Sequence, residues 1–142
     1  MLRRLFGGPK ADPAPVDSRP PAELIVDALG RLDRGEDEFA VFTADEGRNY
    51  YVQVTVLDGS LLGEAVADHY LAPAHRLGAA AQAQLEALGW TLADAGSDRN
   101  HSRSWADWHG ARIRSVADEL VATLIEVYQM EPNGPLAVLT DS

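Results

Sequence analysis

The sequence predicts an α+β fold: an antiparallel sheet of about four to five strands with three helices packed on it, in the order α-β-β-β-α-β-β-α. Three observations carry this expectation. Three stretches repeat apolar residues at the spacing of a helix with one buried face. Three strand-like runs follow one another between the first two of those stretches. Asp58-Gly59 joins the second and third runs with the turn chemistry of a two-residue hairpin. Helices and strands are therefore partly segregated along the chain, and one sheet under a helical layer is the economical way to bury both apolar surfaces.

The elements follow in order. Residues 7–21 hold five prolines and few apolar side chains. Residues 1–19 are thus expected to be a flexible, proline-rich lead-in, followed by a single domain over 20–142. The first helix is expected to start at Pro20 or Pro21, because proline is tolerated where a helix N–H has no partner. Ser18 is the expected N-cap, and Glu23 suits the positive end of the helix dipole. Leu24, Ile25, Ala28, Leu29 and Leu32 form the stripe, which fails at Gly35.

Glu38 to Asp45 (EFAVFTAD) reads as a strand and Glu46 to Asn49 as a turn. Asn49 to Leu57 (NYYVQVTVL) is the second strand, and Leu61 to Ala67 (LLGEAVA) the third. A second helix is expected from Pro73 to Leu88, with Leu77, Ala80, Ala81, Gln84, Leu85 and Leu88 on one stripe and Gly89 as its stop. Trp90 to Leu92 suits a short strand, and His101 to Trp108 (HSRSWADW) a final edge strand. The third helix runs from Gly110 to Gln129, with Ile113, Val116, Ala117, Leu120, Val121, Leu124 and Tyr128 at i, i+3, i+4, i+7. Leu136 to Leu139 is a short apolar run, either a strand or a docking tail.

Composition narrows the function classes. The chain has 142 residues, 46% of them apolar and 24% charged, which suits one soluble globular domain. It has no cysteine, which removes disulfides, thiolate metal sites and a cysteine nucleophile. The net charge is -10. The first ten residues carry Arg3, Arg4 and Lys10 without an acid, so the rest carries -13. Such a body repels phosphate backbones, so no nucleic-acid partner is expected. No apolar run approaches the ~20 residues of a membrane helix, and the start lacks the apolar core of a secretory signal. A cytoplasmic protein without a membrane association is expected. Lys appears once against eleven Arg, which suggests a bacterial genome rich in G and C.

No reaction is named by the motifs. His69, His75, His101 and His109 lack the i, i+4 pairing of a metal helix, so neither a metal nor a cofactor is expected. The serines show no G-x-S-x-G elbow, and the glycines no phosphate loop. Trp90 is expected in the core. Trp105 and Trp108 are open to either a core or a contact role, since tryptophan joins a large apolar area to one hydrogen-bond donor.

Three segments carry a family resemblance. They are Tyr51-Val52-Gln53-Val54 with the Asp58-Gly59 turn and Leu61 to Val66; Tyr70-Leu71-Ala72-Pro73 with the helix ending Leu85-Glu86-Ala87-Leu88-Gly89-Trp90; and Asn100 to Trp105 with the helix ending Val127-Tyr128. In this order the chain, over residues 20–140, resembles the YbjN family and its relatives among type III secretion chaperones. The resemblance implies a small acidic α+β protein, a homodimer, that binds a client peptide and acts as a non-catalytic chaperone or adaptor. Tyr51, Gln53, Leu62, Val66 and Trp105 are the expected client contacts. Replacing Trp105 with Ala is expected to weaken client binding and leave folding intact. A regulatory interaction module held through the third helix, whose stripe widens at Ile125 and Val127, is the alternative. An enzyme built on Glu64, Asp68 and His69 is a third reading and requires those groups to converge in a pocket.

Overall fold

The computed structural model describes residues 18–141. Residues 1–17 of the expected lead-in lie outside the described residues. The described elements are α1 (Pro21–Asp33), β1 (Phe39–Asp45), β2 (Tyr50–Leu57), β3 (Ser60–Ala65), α2 (Ala79–Ala87), β4 (His101–Trp105), α3 (Ile113–Glu126) and β5 (Ala137–Asp141). The expected α+β class is what the chain adopts. One antiparallel sheet, ordered β4-β3-β2-β1-β5, carries three helices.

Local chemistry explains most boundaries. Pro21 opens α1, but the residue before the helix is Pro20 and no side chain caps it, so Ser18 does not play the expected part. The α1 stripe is buried as expected: Leu24, Ile25, Ala28, Leu29 and Leu32. Each leucine or isoleucine of the stripe taken from water contributes about 1.5–3 kcal/mol of transfer free energy. Asp58 and Gly59 both take positive φ, 52° and 82°, which is the two-residue turn whose twist matches its strands. Asp45 Oδ1 accepts from the Arg48 N–H at 3.0 Å and closes the β1–β2 turn.

Three expectations change. Helix α2 starts at Ala79 rather than Pro73. A single 3₁₀ turn over Pro73–His75 and an extended Gly78 intervene, and only Leu85 of the helix is buried. Trp90 to Leu92 forms no strand of its own; Thr91 makes one isolated bridge to Ser102. The fifth strand is instead the C-terminal run, which pairs with β1 from Phe39 opposite Asp141 to Thr43 opposite Ala137. The last strand therefore follows α3 rather than preceding it.

The core lies between the helices and the sheet. Helix α3 buries Val116, Ala117, Leu120 and Leu124 against α1 and the sheet. All three tryptophans are buried. Trp90 Nε1–H donates to Thr123 Oγ1 at 3.0 Å, and Trp108 Nε1–H donates to the Gly59 carbonyl at 3.0 Å. The Tyr128 hydroxyl donates to the Val66 carbonyl at 2.7 Å. These bonds satisfy the polar ends of large buried rings.

Candidate functional site

Residues opposite each other in an antiparallel pair share a face of the sheet. Gln53 stands opposite Val41 on one side and Glu64 on the other. Thr55 stands opposite Leu62, and Tyr51 opposite Thr43. The Val66 N–H donates to the Tyr51 carbonyl at 3.2 Å. The register thus brings Tyr51, Gln53, Leu62 and Val66 onto one face. Trp105 is on the other. Its ring meets Trp90 edge-on with centroids 6.0 Å apart, and Arg103, two residues away on the same side of β4, reaches the Leu88 carbonyl and Glu119 of α3. Trp105 therefore faces the helices, and the other four residues face away from them.

Burial corrects the expectation that these side chains stand open to a client. Tyr51 is 2% exposed, Trp105 is 8% exposed, and Gln53 and Val66 are also buried. Only Leu62 is half-buried. Neighbours on the same face cover them in part: Asn100 reaches across to Tyr51 and Glu64, and Gln53 hydrogen-bonds Glu64. Trp105 is a core residue, so its replacement is a folding perturbation before it is a binding one.

A polar cluster sits on the face away from the helices. Asn100 donates to the Tyr51 hydroxyl at 3.2 Å and to Glu64 Oε1 at 3.4 Å, and its own oxygen accepts the Ala67 N–H at 3.0 Å. Burial pushes the Glu64 carboxyl above its ordinary pKa, while hydrogen bonds from Asn100 and Gln53 oppose the shift. The arrangement ties β2, β3 and the start of β4 together through side chains as well as through their ladders.

The two edges of the sheet differ. The outer side of β4 is covered at Ser102: Thr91 and Ser102 exchange both backbone bonds, at 2.8 and 3.0 Å, and the Ala93 N–H donates to His101 Nδ1 at 2.9 Å. Strand β5 pairs with β1 alone among the described residues. Its Val138 is 37% and its Leu139 47% exposed. An open edge with exposed apolar side chains is a template for another strand. The short run at Leu136 to Leu139 was its sequence signal, and only the pairing shows that it ends as an edge.

Of the enzyme reading's three groups, Asp68 and His69 line one cavity and Glu64 stands apart from it. Asp68 Oδ1 accepts the Leu77 N–H at 2.8 Å, the His69 ring packs edge-on against Tyr70, and Glu64 bonds Asn100 on the sheet face. Among the described residues there is no group of three or more His, Asp or Glu placed to hold a metal. The wide stripe of α3 is used internally, since Val127 is buried and Ile125 packs against the core. No described helix is long and apolar enough to cross a membrane.

Comparison with known proteins agrees with this architecture. The family model described as T3SS (YopN, CesT) and YbjN peptide-binding chaperone 3 matches residues 22–139. No curated protein and no solved structure matches. The match spans most of the chain and every described strand and helix, α1 and β5 in part, so the chain belongs to the TY-Chap3 family of YbjN- and type III secretion chaperone-like peptide-binding chaperones.

Proposed function

We propose that this chain is a non-catalytic, cytoplasmic peptide-binding chaperone or adaptor that takes an extended client segment along the open edge of β5. The observation that carries the reading is the asymmetry of the sheet: the Thr91–Ser102 bridge covers the outer side of β4 at Ser102, whereas β5 ends the sheet order with Val138 and Leu139 exposed. An extended segment added there gains main-chain hydrogen bonds, and Val138 and Leu139 offer apolar contacts to its alternate side chains. Tyr51, Gln53, Leu62 and Val66 support this surface from within by fixing the face that continues from Leu139, Val41 and Gln53 inward. A homodimer is part of the proposal, and light scattering over a range of concentrations reads it.

The test is Leu139→Lys, which puts a charge on an exposed edge position where lysine discourages strand addition. A tiled array of short peptides from the host's secreted proteins supplies the probe. Captured peptides should protect the 137–141 amides from hydrogen exchange, and Leu139→Lys should abolish capture without moving the melting temperature. Capture that survives this variant, with protection elsewhere, overturns the β5 assignment.

A further inference from the structure

The arginines of this acidic chain are paired with acids almost throughout. Arg19, Arg31, Arg34, Arg48, Arg103, Arg112 and Arg114 each hold an aspartate or glutamate. Among the described residues Arg76 and Arg99 hold none, and both line the same cavity of about 360 Å³. It lies between the turns after β3, the start of α2 and the 92–99 loop. Two guanidiniums that no carboxylate engages thus meet at one concave place, which Asp68 and Asp94 also line, in a chain of net charge -10.

A buried donor stands at the same place. His101 lines the cavity and is 4% exposed. Its Nδ1 accepts the Ala93 N–H, so the neutral ring carries its proton on Nε2. That Nε2 has no hydrogen-bond partner, although a buried polar atom normally has one. Arg76 and Gln82, both on the cavity wall, bracket the start of α2, which no side chain caps and whose first turn holds no acid. The acids on the wall are Asp68, whose Oδ1 accepts the Leu77 N–H, and Asp94 on the loop.

We propose that this cavity is a carboxylate pocket, which takes an acidic side chain or the free C-terminus of a bound peptide between the Arg76 and Arg99 guanidiniums, with the His101 ring in its wall. Guanidinium suits this ligand because its planar fork matches the two oxygens of a carboxylate. The volume is at the small end for a ligand site, enough for one or two residues rather than a large cofactor. The inference rests on the peptide-binding function proposed above and specifies the chemistry of its partner.

The test uses small probes that need no strand addition. N-acetyl-alanine carries a terminal carboxylate, the α-amide of N-acetyl-aspartate a side-chain one, and the amide of N-acetyl-asparagine neither. Titration of the full chain, followed by the NMR signals of the His101 ring and the Arg76 and Arg99 side chains, should show saturable shifts with one or both carboxylates. The asparagine probe should leave them in place. Arg76→Gln and Arg99→Gln alter exposed side chains and should each weaken the carboxylate probe about tenfold or more, the loss expected for one charged hydrogen bond. Equal response to the asparagine probe, equally tight binding of inorganic phosphate, or no response at all overturns the pocket. Carboxylate binding that persists in Leu139→Lys, where peptide capture is lost, supports the pocket and separates it from the edge. Carboxylate binding in a chain that captures no peptide overturns the peptide origin of the ligand.

Discussion

Replacing Trp105 with Ala should destabilise the domain by about 3–5 kcal/mol, the range for deleting a large buried aromatic ring. The ring fills a defined space. It meets Trp90 edge-on at 6.0 Å, the Arg103 guanidinium lies 4.8 Å from its centroid, and a Cβ placed on Gly63 would come within 2.8 Å of it. Gly63 is therefore the residue that makes room for the ring. Against a total stability of about 5–15 kcal/mol, the loss is a large fraction. At a urea slope of about 2 kcal/mol per molar, the midpoint should fall by roughly 2 M. Urea unfolding followed by far-ultraviolet circular dichroism measures this without relying on tryptophan emission. Gly63→Ala in the parent should itself cost about 1–3 kcal/mol by overpacking. In the Trp105→Ala background most of that cost should vanish, because the added methyl enters the vacated space. A loss below about 1 kcal/mol for Trp105→Ala with an unchanged slope, or strictly additive effects of the two substitutions, would refute the packing argument.

Two further predictions concern pH. Burial holds the Glu64 pKa above its unfolded value, so the folded state binds the proton more tightly, and stability falls as pH rises from about 4.5 through the folded pKa. Glu64→Gln should therefore be more stable than the parent at neutral pH. Denaturation at acidic and neutral pH should show the two converging below about pH 4.5, and a difference independent of pH would dismiss the idea. His109 Nδ1 and Asp33 Oδ1 lie 2.6 Å apart, and the Gly110 N–H donates to Asp33 Oδ2 at 3.2 Å. The hydrogen bond with Asp33 raises the His109 pKa, and the same bond lowers that of Asp33. The pair's contribution is fully present between the unfolded values of about 3.8 and 6.5. It is lost as pH rises through the folded His109 pKa or falls through the folded Asp33 pKa. Asp33→Asn should therefore separate from the parent most near pH 5, with the gap narrowing above neutrality and at high salt, since the histidine is exposed.

Much of the fold was legible because the signals are local. The α1 stripe from Leu24 to Leu32, the α3 stripe from Ile113 to Leu124 and the Asp58-Gly59 turn each depend on residues a few positions apart. Helical periodicity and turn conformation need no knowledge of distant partners. The same locality explains the error in α2. Its apolar positions suggested a longer helix, but Pro73 and Gly78 set an interrupted path, and of the six expected stripe residues only Leu77 and Leu85 became buried.

The candidate site was less legible, because it is made of pairings. Tyr51, Gln53, Leu62 and Val66 were chosen as strand residues, and the register alone put them together and sent Trp105 to the opposite face. Arg76 and Arg99 look like any other arginine in the sequence; they stand out only once their fellows are seen to hold acids. By itself the sequence determined the α+β class, the central hairpin and the apolar faces of two helices, since these follow from backbone preferences over a single turn or strand. Only the tertiary structure decided which run became the fifth strand, which edge stayed open and which side chains met across the sheet, because register and order are properties of strands in contact, and a shift of one residue reverses every face.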